Sequence, residues 1–167
     1  LFFHKNLRFP KKKIDSNQFF LSKKKKTILA HIKNFDNFGA TCWNYIINRK
    51  FIFKNKIFFK NITTFEDQVF VSQILCLSKH FKILHEVNYI WRNYETNSLG
   101  KLTGYLTALS CLKILFQISN FIHEQSLNLD KIEKKFLSSR IKFSLNKFFQ
   151  NILICNSHEL KKLNLYL

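Results

Sequence analysis

Two adjacent carboxylates, Glu66 and Asp67, are the residues of this chain whose types and spacing best suit chemistry. They lie at the start of a predicted helix, in a protein with 10 acidic residues against 28 basic ones. Positive charge nearby favours the ionised form of a carboxyl group, so we expect Asp67 to be charged. An ionised carboxylate can bind a cation or accept a proton from a hydroxyl group.

The same stretch also fits a purely structural pattern. Thr63 with Glu66, and Thr64 with Asp67, have the spacing of a capping box, in which the first and fourth residues exchange hydrogen bonds at a helix N-terminus. Carboxylates are favoured there in any case, because the helix dipole is positive at that end. From these residues alone, capping is the simpler interpretation.

The composition indicates a folded protein with an anionic partner. Hydrophobic residues make up 46% of the 167 residues, which is enough for one domain with a core. Only 3 Gly and 1 Pro are present, which disfavours an all-β protein, and no glycine-rich phosphate loop is found. The net charge of +18 favours nucleic acid, a phosphate-bearing substrate or an acidic membrane. An AT-rich coding sequence is a competing explanation for many of the lysines.

The cysteines and histidines lack the spacing of a metal site. The four cysteines form no Cys-x-x-Cys pair, and the six histidines form no His-x-x-x-His pair. Cys76 and Cys111 fall within apolar helical patterns and are predicted to be buried. No signal peptide is visible, which favours reduced thiols in the cytoplasm.

Hydrophobic periodicity predicts three helices, and three other segments have the composition of strands. Apolar residues recur at helical spacing over 66–80, 102–122 and 129–154. Segments rich in β-branched and aromatic residues are 57–59, 81–84 and 87–92. Lys113, Gln117 and Asn120 interrupt the first long helix, so a buried or interfacial helix is favoured over a membrane span. The last helix is basic and amphipathic, suited to packing on the domain or lying on an anionic membrane.

Three landmarks follow one another along residues 42–98. The first comprises residues 42–52, which begin Cys-Trp-Asn-Tyr, and then 55–59, Asn-Lys-Ile-Phe-Phe. The second is 65–70, Phe-Glu-Asp-Gln-Val-Phe, and the third is 89–92, Tyr-Ile-Trp-Arg, with Ser98 after it. In order and interval they resemble the acceptor half of family 2 glycosyltransferases, whose members carry W-N-K-L-Y-K-R-x-F-L, N-x-I-x-F, E-D-x-x-F, and Y-x-Y-R followed by Ser.

The resemblance implies an α/β fold: a partial GT-A-like mixed sheet with flanking helices, followed by a C-terminal helical pair. Residues 1–100 would form the acceptor side of a GT-A-like domain, and residues 101–167 a basic, amphipathic helical extension. The family's donor-binding half and its Asp-x-Asp motif are not recognisable in the sequence. The chain is therefore expected to be the C-terminal part of a longer transferase.

The resemblance also implies a reaction, in which a sugar moves from a nucleotide-sugar to a hydroxyl group of a glycan or lipid-linked acceptor, usually with inversion. Surface polysaccharide biosynthesis is the expected setting. Asp67 would be the general base, and Glu66 would orient it or touch the acceptor. The residues expected to contact substrate are Trp43, Gln68, Arg92 and Ser98. Trp43 is also compatible with a core position, and Arg92 with a surface or ion-paired one.

In the intact enzyme, a Mg or Mn ion is expected to neutralise the diphosphate, with ligands that are not present in this chain. The protein is expected in the cytoplasm. Its basic helices would attach it, as a peripheral protein, to the inner face of the cell membrane. The alternative is a non-catalytic basic module that binds nucleic acid or a membrane surface, or a remnant that pairs with another subunit. Nucleic acid is the less favoured partner, because no recognised nucleic-acid motif is present.

Overall fold

A computed structural model describes residues 41–79 and 102–166 of the chain. This part is helical, with a 3₁₀ turn at Cys42–Asn44 followed by five α-helices. The helices are α1 (Arg49–Lys54), α2 (Asp67–Leu77), α3 (Tyr105–Glu124), α4 (Lys131–Ile152) and α5 (Ser157–Asn164). No residue within the two described ranges belongs to a β-strand.

The predicted mixed sheet is wrong for this part of the chain. Residues 57–59 form an irregular segment rather than a strand. Ile57 is buried in the core, and the ring of Phe59 stacks on Phe70 of α2 at a centroid distance of 4.1 Å. These apolar side chains pack against a helix, a possibility that a short apolar run does not distinguish from strand pairing. The strands predicted at 81–84 and 87–92 lie outside the described residues.

The three helices predicted from periodicity are present as α2, α3 and α4. A capping box fixes the start of α4. Oδ1 of Asp130 accepts the N–H groups of Ile132 and Glu133, each at 2.8 Å. In return, Oε2 of Glu133 accepts the N–H of Asp130 at 2.8 Å. Asn156 begins α5 in the same way. The sequence analysis does not predict α5.

The core is formed by α3, which packs against α2 on one side and α4 on another. The buried apolar residues of α3 are Ala108, Cys111, Ile114, Ile118 and Phe121. Most of the predicted apolar stripe of α4 turns inward, since Phe136 and Phe148 are buried and Ile132, Ile141 and Ile152 are half-buried, whereas Leu145 is exposed. Packing on the domain is therefore what most of this stripe does. The core includes residues on both sides of position 100, and the division into two domains there stays a prediction.

By length and composition, α3 is the helix of the described ranges that could cross a membrane. Core helices of soluble proteins pass the same test, and 39% of its most apolar 18 residues are buried against the rest of the protein. Length and hydropathy therefore do not distinguish a membrane span from the buried helix that the sequence favours.

A glycine with an unusual backbone conformation begins α3. Gly104 has φ 77° and ψ −143°, a region that is restricted almost entirely to glycine. Its N–H donates to Oδ1 of Asn151 at 2.8 Å, and the side-chain amide of Asn151 donates to the carbonyl of Lys147 at 2.8 Å. The first residue before α3 is thereby tied to the last turn of α4.

We expect Gly104→Ala to lower the free energy of unfolding by about 1–3 kcal/mol, because a residue with a Cβ is strained at this φ and ψ. Steric contact is not the cause, since no atom lies within 4 Å of the position that a Cβ would take. Urea unfolding followed by circular dichroism measures the change. The exposed neighbour offers a control, Thr103→Ala, which should stay within about 0.5 kcal/mol of the parent. Equal stability of the two variants would contradict the prediction.

Candidate functional site

The chain enters α2 through a strained residue. Phe65 has φ 59°, in the left-handed region that is an outlier for a bulky side chain and persists only where the surroundings hold it. Its ring meets the ring of Phe143 edge-on, with centroids 5.8 Å apart. Immediately before it, the N–H of Thr64 donates to Oγ of Ser110 in α3 at 3.2 Å. Contacts with α3 and α4 therefore fix the turn that presents Glu66 and Asp67.

The predicted capping boxes are absent. Glu66 occupies the N-cap position of α2 and its side chain makes no capping hydrogen bond. Oγ1 of Thr64 is buried without a hydrogen-bond partner among the described residues. The capping explanation for the threonines is wrong, because the left-handed turn at Phe65 carries the chain into the helix instead.

Asp67 is a buried carboxylate in the first turn of α2, with 8% of its surface exposed. The carboxylate accepts backbone N–H groups of Cys42, Asp67 and Gln68, which lower its pKa. Burial, and next the negative charge of Glu66, outweigh these hydrogen bonds and raise the pKa of Asp67 from 3.8 to about 6. The expectation that positive charge dominates here is wrong, because the charge that acts most on Asp67 is Glu66. At pH 7 the group is still mostly ionised.

The hydrogen bond from Cys42 joins two parts of the predicted motif. It connects the 3₁₀ turn to the start of α2, although 25 positions separate Cys42 from Asp67 in the sequence. Burial raises the pKa of the Cys42 thiol, and the charges of Asp67 and Glu66 raise it further. The raised pKa favours the protonated thiol, whereas the thiolate is the nucleophilic form of cysteine.

The remaining predicted substrate contacts differ in placement. Trp43 follows Cys42 in the 3₁₀ turn and is 38% exposed, so its ring is not a fully buried core residue. Gln68 is buried, with 3% of its surface exposed, and its Oε1 has no hydrogen-bond partner in the described ranges, so this atom is shielded from solvent. Arg92 and Ser98 lie outside the described residues. The structure thus places Glu66, Asp67 and Gln68 beside the turn that carries Trp43.

The sequence analysis does not single out Arg140 of α4, which lies near Tyr45, the residue that follows the 3₁₀ turn. The structure buries it, with its guanidinium carbon 5.6 Å from the ring centre of Phe136. The charge of Arg140 also lowers the pKa of Tyr45, which burial raises, so the two side chains are close. The residue type could have indicated this burial. Arginine occurs once among the lysines of α4, and its side chain tolerates burial better than that of lysine.

The described residues do not fit a divalent metal ion. No group of three or more His, Cys, Asp or Glu side chains comes together within 41–79 and 102–166. Around Asp67 the further candidates are a protonated thiol and a single second carboxylate, whereas Mg²⁺ prefers several oxygen ligands. We therefore derive no step through a metal.

A half-open groove of about 460 Å³ lies on another part of the surface. It is formed by residues 60–62, by the side of α3 that carries Leu112 and Phe116, and by Tyr166. The ammonium group of Lys113 crosses it to donate to the carbonyl of Asn61 at 3.4 Å. None of Trp43, Glu66 and Asp67 lines this groove, so it is separate from the carboxylates.

Comparisons with protein families, curated proteins and solved structures found no match for this chain. A functional assignment therefore depends on the motifs and on the geometry around Asp67. Of the three landmarks, 42–59 and 65–70 fall within the described residues, whereas 89–98 does not.

The raised pKa predicts how stability depends on pH. A carboxyl group whose pKa is higher in the folded state binds its proton more tightly there, so protonation favours folding. The contribution of Asp67 is most favourable below about pH 4, declines as the pH rises to about 6 and is constant above that. Because water reaches part of the carboxylate, we expect the decline to be on the order of 2 kcal/mol.

Asp67→Asn should remove this decline, since an amide does not titrate while its oxygen still accepts N–H groups. Urea unfolding of parent and variant between pH 4 and pH 7 isolates Asp67 from the other carboxyl groups. At pH 7 the variant should be at least as stable as the parent. Parallel pH profiles for the two proteins would contradict the assignment of the raised pKa to Asp67.

Proposed function

We propose that this chain supplies the acceptor side of a glycosyltransferase, which moves a sugar from a nucleotide-sugar to a hydroxyl group of a glycan or lipid-linked acceptor. Surface polysaccharide biosynthesis is the setting that the motifs favour. The observation that carries the proposal is Asp67, a buried carboxylate with a pKa of about 6, within the E-D-x-x-F motif and hydrogen-bonded to the Trp-Asn turn. The proposal depends on this site and not on a GT-A sheet.

Asp67 is suited to act as a general base at neutral pH. A base works best when its pKa lies near the operating pH, because it is then ionised and still holds a proton well. An ionised carboxylate has about four lone-pair sites, so it can accept a hydroxyl group of the acceptor besides the backbone N–H groups that lower its pKa.

The neighbouring residues take supporting roles in the proposal. Glu66 keeps the pKa of Asp67 raised through its negative charge and, being half-buried, is able to contact the acceptor. The partly exposed ring of Trp43 offers an apolar wall against which a sugar ring packs.

In the proposed step, the carboxylate of Asp67 takes the proton of the acceptor hydroxyl. The oxygen then forms a bond to the anomeric carbon of the donor sugar, with inversion. The bond from that carbon to the nucleoside diphosphate breaks, and its electron pair leaves with the diphosphate.

Asp67→Asn should lower transfer by about 100-fold or more, because the variant has no base to activate the acceptor. The assay uses the longest protein that the gene encodes, a panel of nucleotide-sugars as donors and cell-envelope glycans as acceptors. It measures the release of nucleoside diphosphate. A matched control is Asp130→Asn, which changes another carboxylate at a helix start while keeping a good N-cap. Full activity of Asp67→Asn, or no release from any donor, would disprove the proposed function.

Glu66→Gln should move the acid limb of the pH–rate profile to lower pH. In the parent, kcat/KM falls as the pH drops below about 6, because protonated Asp67 cannot act as a base. Removing the charge of Glu66 removes one cause of the raised pKa, so Asp67 stays ionised to lower pH. Glu124→Gln, at the far end of α3, serves as the control. An acid limb that stays in place, or moves upward, argues against this coupling.

A further inference from the structure

The outward face of α4 has a basic half at its N-terminal end. Four exposed lysines lie there: Lys131, Lys134, Lys135 and Lys142. The helix contains one acidic residue, Glu133, which is buried and accepts the N–H of Asp130. The exposed charges of α4 are therefore all positive.

The same face is apolar at its C-terminal end. Phe149 is 58% exposed, Leu153 is 84% exposed, and Ile154 in the following turn is 60% exposed. Phe149 follows Lys142 by two helical turns and precedes Leu153 by four residues, so the apolar half continues the lysine stripe. This is not the stripe that packs on α3, which includes the buried Phe148.

We propose that the outward face of α4 docks the protein onto an anionic lipid surface. The partner must offer negative charge to the lysine half and an apolar environment to the other half. The lysines attract phosphate groups, and the protein as a whole carries a net charge of +18. The aromatic and aliphatic side chains bury at the boundary between headgroups and acyl chains, as those of interfacial helices do. A bilayer surface offers both environments within the length of one helix.

Two other partners match the face less completely. A single-stranded nucleic acid pairs with the lysines and can stack a base on Phe149, but it leaves the aliphatic Leu153 and Ile154 in water. A second copy of this chain covers the apolar half, yet two copies bring their lysines together, and like charges repel. The anionic lipid surface is the partner that uses both halves, and the inference does not depend on the proposed transfer reaction.

The test is sedimentation of the full chain with lipid vesicles. Vesicles of phosphatidylcholine with about 30% phosphatidylglycerol are compared with phosphatidylcholine alone, because only the first attracts lysine. Two variants separate the halves: Phe149→Gln with Leu153→Gln, and a triple exchange of Lys134, Lys135 and Lys142 for Gln. Each should lower the partition coefficient on anionic vesicles by about tenfold or more, and added salt should weaken parent binding.

The controls exchange leucine and lysine for glutamine elsewhere on the surface. They are Leu127→Gln, an exposed apolar residue in the loop before α4, and a triple exchange of the exposed Lys54, Lys56 and Lys60 for Gln. Asp67→Asn should bind vesicles like the parent, which keeps this test apart from the transfer assay. The proposal is overturned if the α4 variants bind like the controls. It is also overturned if the lysine variant binds vesicles like the parent but no longer binds single-stranded RNA. The same holds if the apolar variant binds vesicles like the parent but is a monomer where the parent is a dimer.

Discussion

The burial of α3 between α2 and α4 is the interaction on which the other features depend. Ala108, Cys111 and Ile114 of α3 are fully buried, and each large apolar side chain removed from water contributes roughly 1.5–3 kcal/mol. The same packing positions the N-terminal part of α3 and the chain that precedes α2. Gly104 is held by Asn151 of α4, and Ser110 holds the N–H of Thr64 just before the carboxylates.

This packing sustains two arrangements that are unfavourable by themselves. Phe65 has a left-handed backbone conformation, and Asp67 is a carboxylate removed from water beside another carboxylate. Neither would persist in a flexible loop, because a small rotation would relieve the backbone strain and hydrate the charge. A buried carboxylate with a pKa near 6 is therefore a product of the helical core as much as of the E-D-x-x-F motif.

The sequence predicts the local features and misses those that depend on contacts between distant segments. Periodicity places α2, α3 and α4 because each has an apolar stripe at helical spacing. The strand at 57–59 was wrong because Phe59 stacks on a helix, which a short apolar run does not show. The hydrogen bond of Cys42 to Asp67 and the burial of Arg140 were not predictable, since each depends on packing between segments far apart in the chain. Residue types nevertheless singled out Glu66 and Asp67 before their surroundings were known.

The position of Phe65 has a consequence for how the site and the fold respond to heat. Its side chain packs against both clusters of buried residues, the larger one around α2 and the smaller one around Ala108 and Phe148. Glu66 follows directly in the chain, so the carboxylates cannot come loose while the two clusters stay intact. Exposure of the carboxylates on heating should therefore coincide with global unfolding rather than precede it as a local opening. Under the proposed function, substitutions deep in the core would then lower transfer although they touch no substrate.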